Sequence, residues 1–569
     1  MATTAPLVDT RRQATPVRRR RGRRLLRLLP ALAPALAILV AGYQRRWMSD
    51  DGHIYVRTVR QILVGNGPVF NPGERAEAST GTLWQWLLAA AGLPGWDIAT
   101  AAVYGGLLLT AAGFALAGLG CLRLYGHLYG HQYGSRYGTS RALPLGALTL
   151  LALPPVWDFA TSGLETGLAT CWLAGAWLLL TTAPTTPWTS VVLGLGPLVR
   201  PELGLVSAVF LAAQWLTVRP GPRRTLAGLG AALAAPVAYE VFRAGYYGHL
   251  VPLPGVTKEA SRSLWARGLG YLADLTGPYL LWLPALFILA ALLPARAAGP
   301  RTPLIPTLAP VVAGLLCWVY VIKVGGDFMH GRMLLPGLFL LLLPVFLVPA
   351  TRPWTLAATA TAVWAVLCAG LLRTPYEGGF GPDGIADERG VYVQQNADPH
   401  PVHHTFAGAD GHAAYGESAR TAAPLRLLLG PVSVAGGAPT VTGVHNVLGM
   451  NGTAVPLSGA ALDRIGLAYP LAAHSERRRG GRVGHDKQLP VEWIVADRGA
   501  GELPPGADPS KVAAARRALG CPALADLRAA ARAPLTPRRF VDNLTGAWTR
   551  TTFRFPNDPV AAEGKLCGR

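Results

Sequence analysis

The chain has 569 residues, 51% of them hydrophobic and only 15% charged, with a mean hydropathy of +0.31. A soluble protein of this length carries roughly a quarter charged residues, so the composition excludes an ordinary soluble enzyme. The net charge of +21 and isoelectric point near 10.2 would suit a nucleic-acid partner. The basic residues instead flank apolar stretches, so membrane lipids are the expected neighbours and nucleic acid is not.

Residues 1–27 form a basic tail containing Arg18-Arg19-Arg20-Arg21 and Arg23-Arg24, expected to be disordered and cytoplasmic because Lys and Arg resist translocation. An apolar stretch follows and leads into Gln44-Arg45-Arg46-Trp47 with no small-residue cleavage site, which favours an uncleaved first helix over a signal peptide. A spanning helix needs about 20 apolar residues. Candidate spans are 28–44, 98–124, 142–158, 163–182, 188–200, 203–218, 224–244, 272–294, 304–324, 331–349 and 353–373. These give an α-helical polytopic membrane protein with about eleven transmembrane helices.

With the amino terminus inside, the inner loops carry Arg123, Arg136 and Arg141, then Arg219, Arg223 and Arg224, then Arg296 and Arg301, then Arg352. Only the uncharged stretch 183–187 breaks this pattern. Residues 82–94 are too short to span and are laid on the outer surface, with Trp84 and Trp86 at the interface. The region 28–373 thus has outer loops at 45–97, 245–271 and 325–330. Residues 374–569 have ordinary polarity and are expected to form one extracytoplasmic soluble domain. Its fold is expected to be mixed α/β, from a strand-like run at Val491–Ala496 and a helical stretch at 511–533.

This threading puts the ionisable clusters on one face, where such groups point to function. They are Asp50-Asp51 with His53; Ser162–Glu165; Arg200-Pro201-Glu202; His249 through Lys258; and Asp327, His330 and Arg332. Ser49 or Asp50 could simply cap the helix that starts here. Two carboxylates beside Arg45, Arg46 and His53 also suit a general base acting on a sugar hydroxyl. Lys258, Arg200 and Arg332 each suit lipid phosphate as snorkelling cations, and together could hold the phosphate of a lipid-linked donor. Glu165 and Glu202 could orient those arginines. Asp327 and His330 lie in a glycine-rich turn that reads equally as structure or as a substrate contact.

Cofactor motifs are absent: there is no P-loop, H-E-x-x-H or dinucleotide fingerprint. No cofactor is expected, and a divalent metal is left open. His400, His403, His404 and His412 read as a solvated loop. Cys121, Cys171, Cys317 and Cys368 fall in apolar stretches as buried small hydrophobes. Cys521 and Cys567 are the two cysteines outside them, and an oxidising compartment would favour a disulfide between them.

The loop from Asp50-Asp51-Gly52-His53 to Ala78-Ser79-Thr80 resembles the first outer loop of GT-C glycosyltransferases. It is most similar to that of the actinobacterial terminal β-(1→2)-arabinofuranosyltransferase (AftB) family. Ser162–Glu165, Arg200–Glu202, Gly326–Arg332, Ile465–His474 and Gly484–Trp493 extend the likeness across nearly the whole chain past residue 28. The resemblance implies transfer of arabinofuranose from decaprenyl-phosphoryl-arabinose to the ends of arabinan, with no cofactor beyond the lipid-linked substrate. Asp50 and Asp51 would be catalytic. Lys258, Arg200, Arg332 and His249 would meet donor phosphate, and His53, Glu165, Glu202, Asp327 and His330 the sugars. Tyr469 stands where the family pattern suggests an acid, which leaves acceptor choice open. A β-linked donor giving a β-linked product means retention, by a carboxylate nucleophile or a front-face route; a different donor with inversion would restore the simple base. A sibling transferase for mannose fits the same scaffold. A lipid-linked-sugar transporter would need internal repeats and midplane charges, and neither is evident.

Overall fold

The computed structural model describes residues 17–129, 142–259, 262–298, 303–403 and most of 442–568, with short strand segments between 426 and 434. Residues 1–16, Arg136, Arg141, Arg301, His404 and His412 lie outside the described residues, as do the side chains of residues 18–27 and of Arg296.

Five described helices are long and apolar enough to cross a membrane: Ile98–Tyr125, Pro201–Val218, Pro222–Tyr247, Leu304–Val324 and Arg352–Leu371. Five shorter apolar helices accompany them, at Leu28–Gln44, Thr166–Thr182, Pro187–Val199, Trp282–Pro294 and Arg332–Val345. The architecture is that of a polytopic membrane protein, but among the described residues the expected eleven full spans are not all present. Residues 142–158 break into helices Leu145–Leu151 and Pro154–Asp158, because Pro154 and Pro155 supply no N–H to continue the first. The stretch 272–294 is likewise two helices, Trp265–Thr276 and Trp282–Ala298.

Small residues let helices of the bundle approach closely. Helix Ile98–Tyr129 lies along Thr166–Thr182 so closely that a Cβ on Gly167 would sit 2.1 Å from the Gly106 carbonyl oxygen. Such approach is how membrane helices gain packing energy without a hydrophobic drive. One correction concerns Thr82–Gly92: Trp84 is buried, its indole N–H donating to the Gly163 carbonyl at 3.0 Å. Trp86 is exposed.

The carboxy-terminal part is mainly helical. Its described strands are two or three residues long; Thr442–Val444 pairs in parallel with Ala460–Leu462. The strand expected at Val491–Ala496 is helix Val491–Arg498, whose Trp493 and Ile494 are fully buried. Packing overrides the β-branched composition here. A core of Leu471, Trp493, Leu519, Leu524 and Phe555 belongs to this part alone. Residues 448–468 contribute Leu448, Met450, Ala461 and Leu467 to the same core as the apolar helices.

Candidate active site

The site begins at the turn into helix Asp50–Leu63. Ser49 is the N-cap, its hydroxyl accepting the Gly52 N–H at 3.0 Å. Neither aspartate is therefore consumed by capping. Consecutive helical residues point about 100° apart, and the two carboxylates diverge accordingly. Asp50 is buried and accepts the Met450 N–H at 2.7 Å. Asp51 lines a cavity of about 540 Å³. Ile54 and Tyr55, three and four residues on, line it with Asp51, as one helical face requires.

The cavity gathers much of what the sequence singled out. Asp51, Glu165, Arg200, Glu202, Lys258, Asp327 and Arg332 all face it. Arg332 grips Asp327 through Nε and Nη2, both at 2.6 Å, and reaches Asp51 at 3.4 Å. Lys258 Nζ stands 3.6 Å from Asp327. Arg200 pairs with both Glu165 and Glu202, so those acids do orient it. Tyr55 donates its hydroxyl proton to Glu165 at 2.7 Å and accepts the Gly81 N–H at 2.8 Å.

The loop carrying Asp327 owes its course to Gly325 and Gly326, at φ of +91° and +77°. These values are open to glycine and strained for other residues. The turn folds Phe328 back between three cations: Lys258, Arg332 and Arg482 lie 5.6, 5.8 and 5.1 Å from its ring centroid. Burial disfavours the Asp327 charge, but Arg332 and Lys258 outweigh it and hold the carboxyl down at about 2. Among the described residues Asp50 has no ion-pair partner. Burial, with help from Asp51, pushes its carboxyl up to about 7. Beside it Glu388, also buried, is pushed well above the usual range by burial and by Asp51 and Asp50.

Three expected substrate contacts do not face the cavity. His249 is buried against His474, with Nε2 atoms 3.0 Å apart, and its ring is held well below its ordinary value, at about 4, by burial and Arg550. His330 lies among Asp274, Tyr279 and Tyr376 at 2.6 to 3.0 Å. His53 is buried on the other side of its helix. All three join helices or loops to the carboxy-terminal part or to each other, a role that composition does not distinguish from ligand binding. Conversely, Trp548, Thr551, Thr552 and Arg554 line the cavity from about 500 residues away, with no sequence signal to announce them. Tyr55 could have been found from its helical spacing to Asp51.

A smaller apolar pocket among Phe114, Phe159 and Phe339 shares Arg200, Arg332 and Met333 with the cavity. Among the described residues no three His, Cys, Asp or Glu side chains converge as a metal-binding set. Cys521 and Cys567 are paired as a disulfide with Cα atoms 5.4 Å apart.

Residues 433–564 match the family model for the AftB family C-terminal domain. Over 92% of its length the chain is 36% identical to a terminal β-(1→2)-arabinofuranosyltransferase of Corynebacterium glutamicum, covering 85% of that protein. It is 35% identical, again over 92% of its length, to the protein of the same name from Mycobacterium tuberculosis, covering 95% of it. No solved structure matches significantly.

Proposed function

This chain belongs to the AftB family of terminal β-(1→2)-arabinofuranosyltransferases, and from that premise we propose that it adds arabinofuranose to arabinan ends at the outer membrane face, using a polyprenyl-phosphoryl-arabinose donor. The observation that carries the reading is the Asp51 carboxylate facing a cavity that also holds Lys258 and Arg332. A glycosyl phosphate needs both kinds of group: a carboxylate at the anomeric carbon, and cations where negative charge grows on the departing phosphate.

Arg332 offers two donors in a fixed fork and Lys258 a mobile point charge. Asp327, ionised even in mildly acidic solution, holds both in place before substrate arrives. The apolar pocket beneath Arg200 and Arg332 suits the first isoprene units of the donor. With β-linked donor and product, Asp51 acts as nucleophile in two displacements, or steers the acceptor hydroxyl onto the same face. Asp50 acts through position: its bond to Met450 fixes the first turn, and hence the direction of Asp51.

The test is transfer from labelled decaprenyl-phosphoryl-arabinose to a synthetic arabinan acceptor. Asp51→Asn is expected to lower kcat by about 10³-fold or more, and Asp50→Asn by about tenfold, with KM for the donor nearly unchanged in both. Full activity in Asp51→Asn would sink the assignment. Activity with another lipid-linked sugar alone would keep the scaffold and remove arabinose.

A further inference from the structure

Helix Pro537–Thr552 has three faces. Asn543, Ala547 and Arg550 are buried against the protein. Val541, Leu544 and Trp548 are exposed, by 54, 37 and 70%, and at 100° per residue they fall within about 60° of one another. Arg538, Asp542, Thr545 and Thr549 are also exposed and occupy the adjoining sector. A helix tip in water does not need a separate apolar stripe of this kind.

What lies beside that stripe identifies its neighbour. Helix Pro222–Tyr247 is long and apolar enough to cross a membrane, and little of it is buried in the protein. Its Leu226, Leu229, Leu233, Val237 and Val241 are exposed at helical spacing, the surface expected to meet lipid. Gly245 lies one turn beyond Val241 on the same helix, about 100° round from Leu226. The Phe540 ring sits there so closely that a Cβ on Gly245 would fall 2.1 Å from it. Asn543 also donates to the Gly245 carbonyl at 3.0 Å. Helix Pro537–Thr552 therefore packs against the end of the helix that carries the lipid-facing stripe. From Leu226 to Gly245 the rise is about 29 Å, close to the roughly 30 Å thickness of the hydrocarbon core. The contact thus falls at headgroup level.

We propose that helix Pro537–Thr552 is an in-plane membrane anchor, with Val541, Leu544 and Trp548 in the acyl boundary of the leaflet on the cavity side. The polar sector with Arg538 then faces headgroups and water, as interfacial helices do. Trp548, Thr551 and Thr552 also line the cavity, so this anchor sets one rim of the cavity at lipid level, where a lipid-linked substrate travels. The inference rests on Pro222–Tyr247 being a span, not on which sugar is transferred.

The test places single nitroxide labels on the full chain in phosphatidylcholine vesicles, in a Cys171→Ser background. Val541→Cys and Leu544→Cys are the test sites, Leu233→Cys the lipid reference and Lys511→Cys the aqueous one. Oxygen and a water-soluble nickel chelate are the relaxing agents. Positions 541 and 544 are expected to resemble 233, with oxygen accessibility several-fold above that of the chelate. If 541 and 544 match 511 while 233 remains in lipid, the anchor is overturned. If 233 also matches 511, the span has failed first and the anchor with it. Spin–spin broadening at 541 would mean that a second copy covers the face, which equally overturns the proposal.

Discussion

Two neighbouring aspartates with the same intrinsic chemistry end in different environments. Asp51 meets a cavity and Arg332; Asp50 meets a backbone N–H and buried Glu388. The raised pKa of Asp50, near 7 against 3.8 for the free carboxyl, has a consequence for stability. Between those values the folded chain holds a proton there that the unfolded chain has released, so stability falls as pH rises across the window and levels off above it. Thermal unfolding in detergent is expected to show this decline in the wild type and a shallower one in Asp50→Asn. Parallel curves would mean that Asp50 is not protonated in the folded state. The sequence located the pair but could not apportion it, since the environment of Asp50 is made by Met450, 400 residues away.

Among the local elements, the 325–332 turn holds most of the cations' alignment. Gly326 combines a φ of +77° with a Cβ direction only 2.4 Å from the Tyr271 ring. Tyr271 in turn donates to the Met329 carbonyl at 2.7 Å and accepts the Met333 N–H at 3.2 Å. Gly326→Ala therefore strains the backbone and displaces the ring that braces the turn. A loss of about 1–3 kcal/mol in unfolding free energy is expected, with donor KM rising because Asp327 and Arg332 move together. An alanine variant with wild-type stability and KM would mean the turn is not constrained as described. The glycine-rich run was legible as a turn. That it braces an ion-pair cluster was not, because Tyr271 lies on a separate helix.

At the scale of the molecule, the carboxy-terminal part is fastened to residues 45–97 by buried charge. Glu74 meets Arg498 at 2.7 Å and Arg532 at 2.8 Å, and Arg532 meets Asp497 at 2.6 Å. Arg57 donates to the carbonyls of Gly452, Val455, Pro456 and Gly459. The disulfide acts within this part, closing a loop of 46 residues between helices Pro522–Arg532 and Pro559–Leu566. Chain-entropy arguments give up to about 4 kcal/mol for a loop of that size. Cys567→Ser is expected to lower the unfolding temperature by several degrees while transfer activity at 25 °C persists. An unchanged Tm would mean that the last helix is held by packing alone.

The unfolded chain already makes legible the membrane class, the side-by-side acids and the family. Hydropathy is a local sum, charge flanks are local, and motifs keep their order along the chain. It also located the cavity-facing residues Asp51, Lys258, Asp327 and Arg332, because ionisable groups near a bilayer are too costly to keep without a task. Folding settles which aspartate faces the cavity, that His53 is buried while His249 and His330 are buried braces, and that Trp548 and Arg554 complete the wall. Those outcomes depend on which distant segment packs against each side chain, and that packing is fixed only when the whole chain has folded.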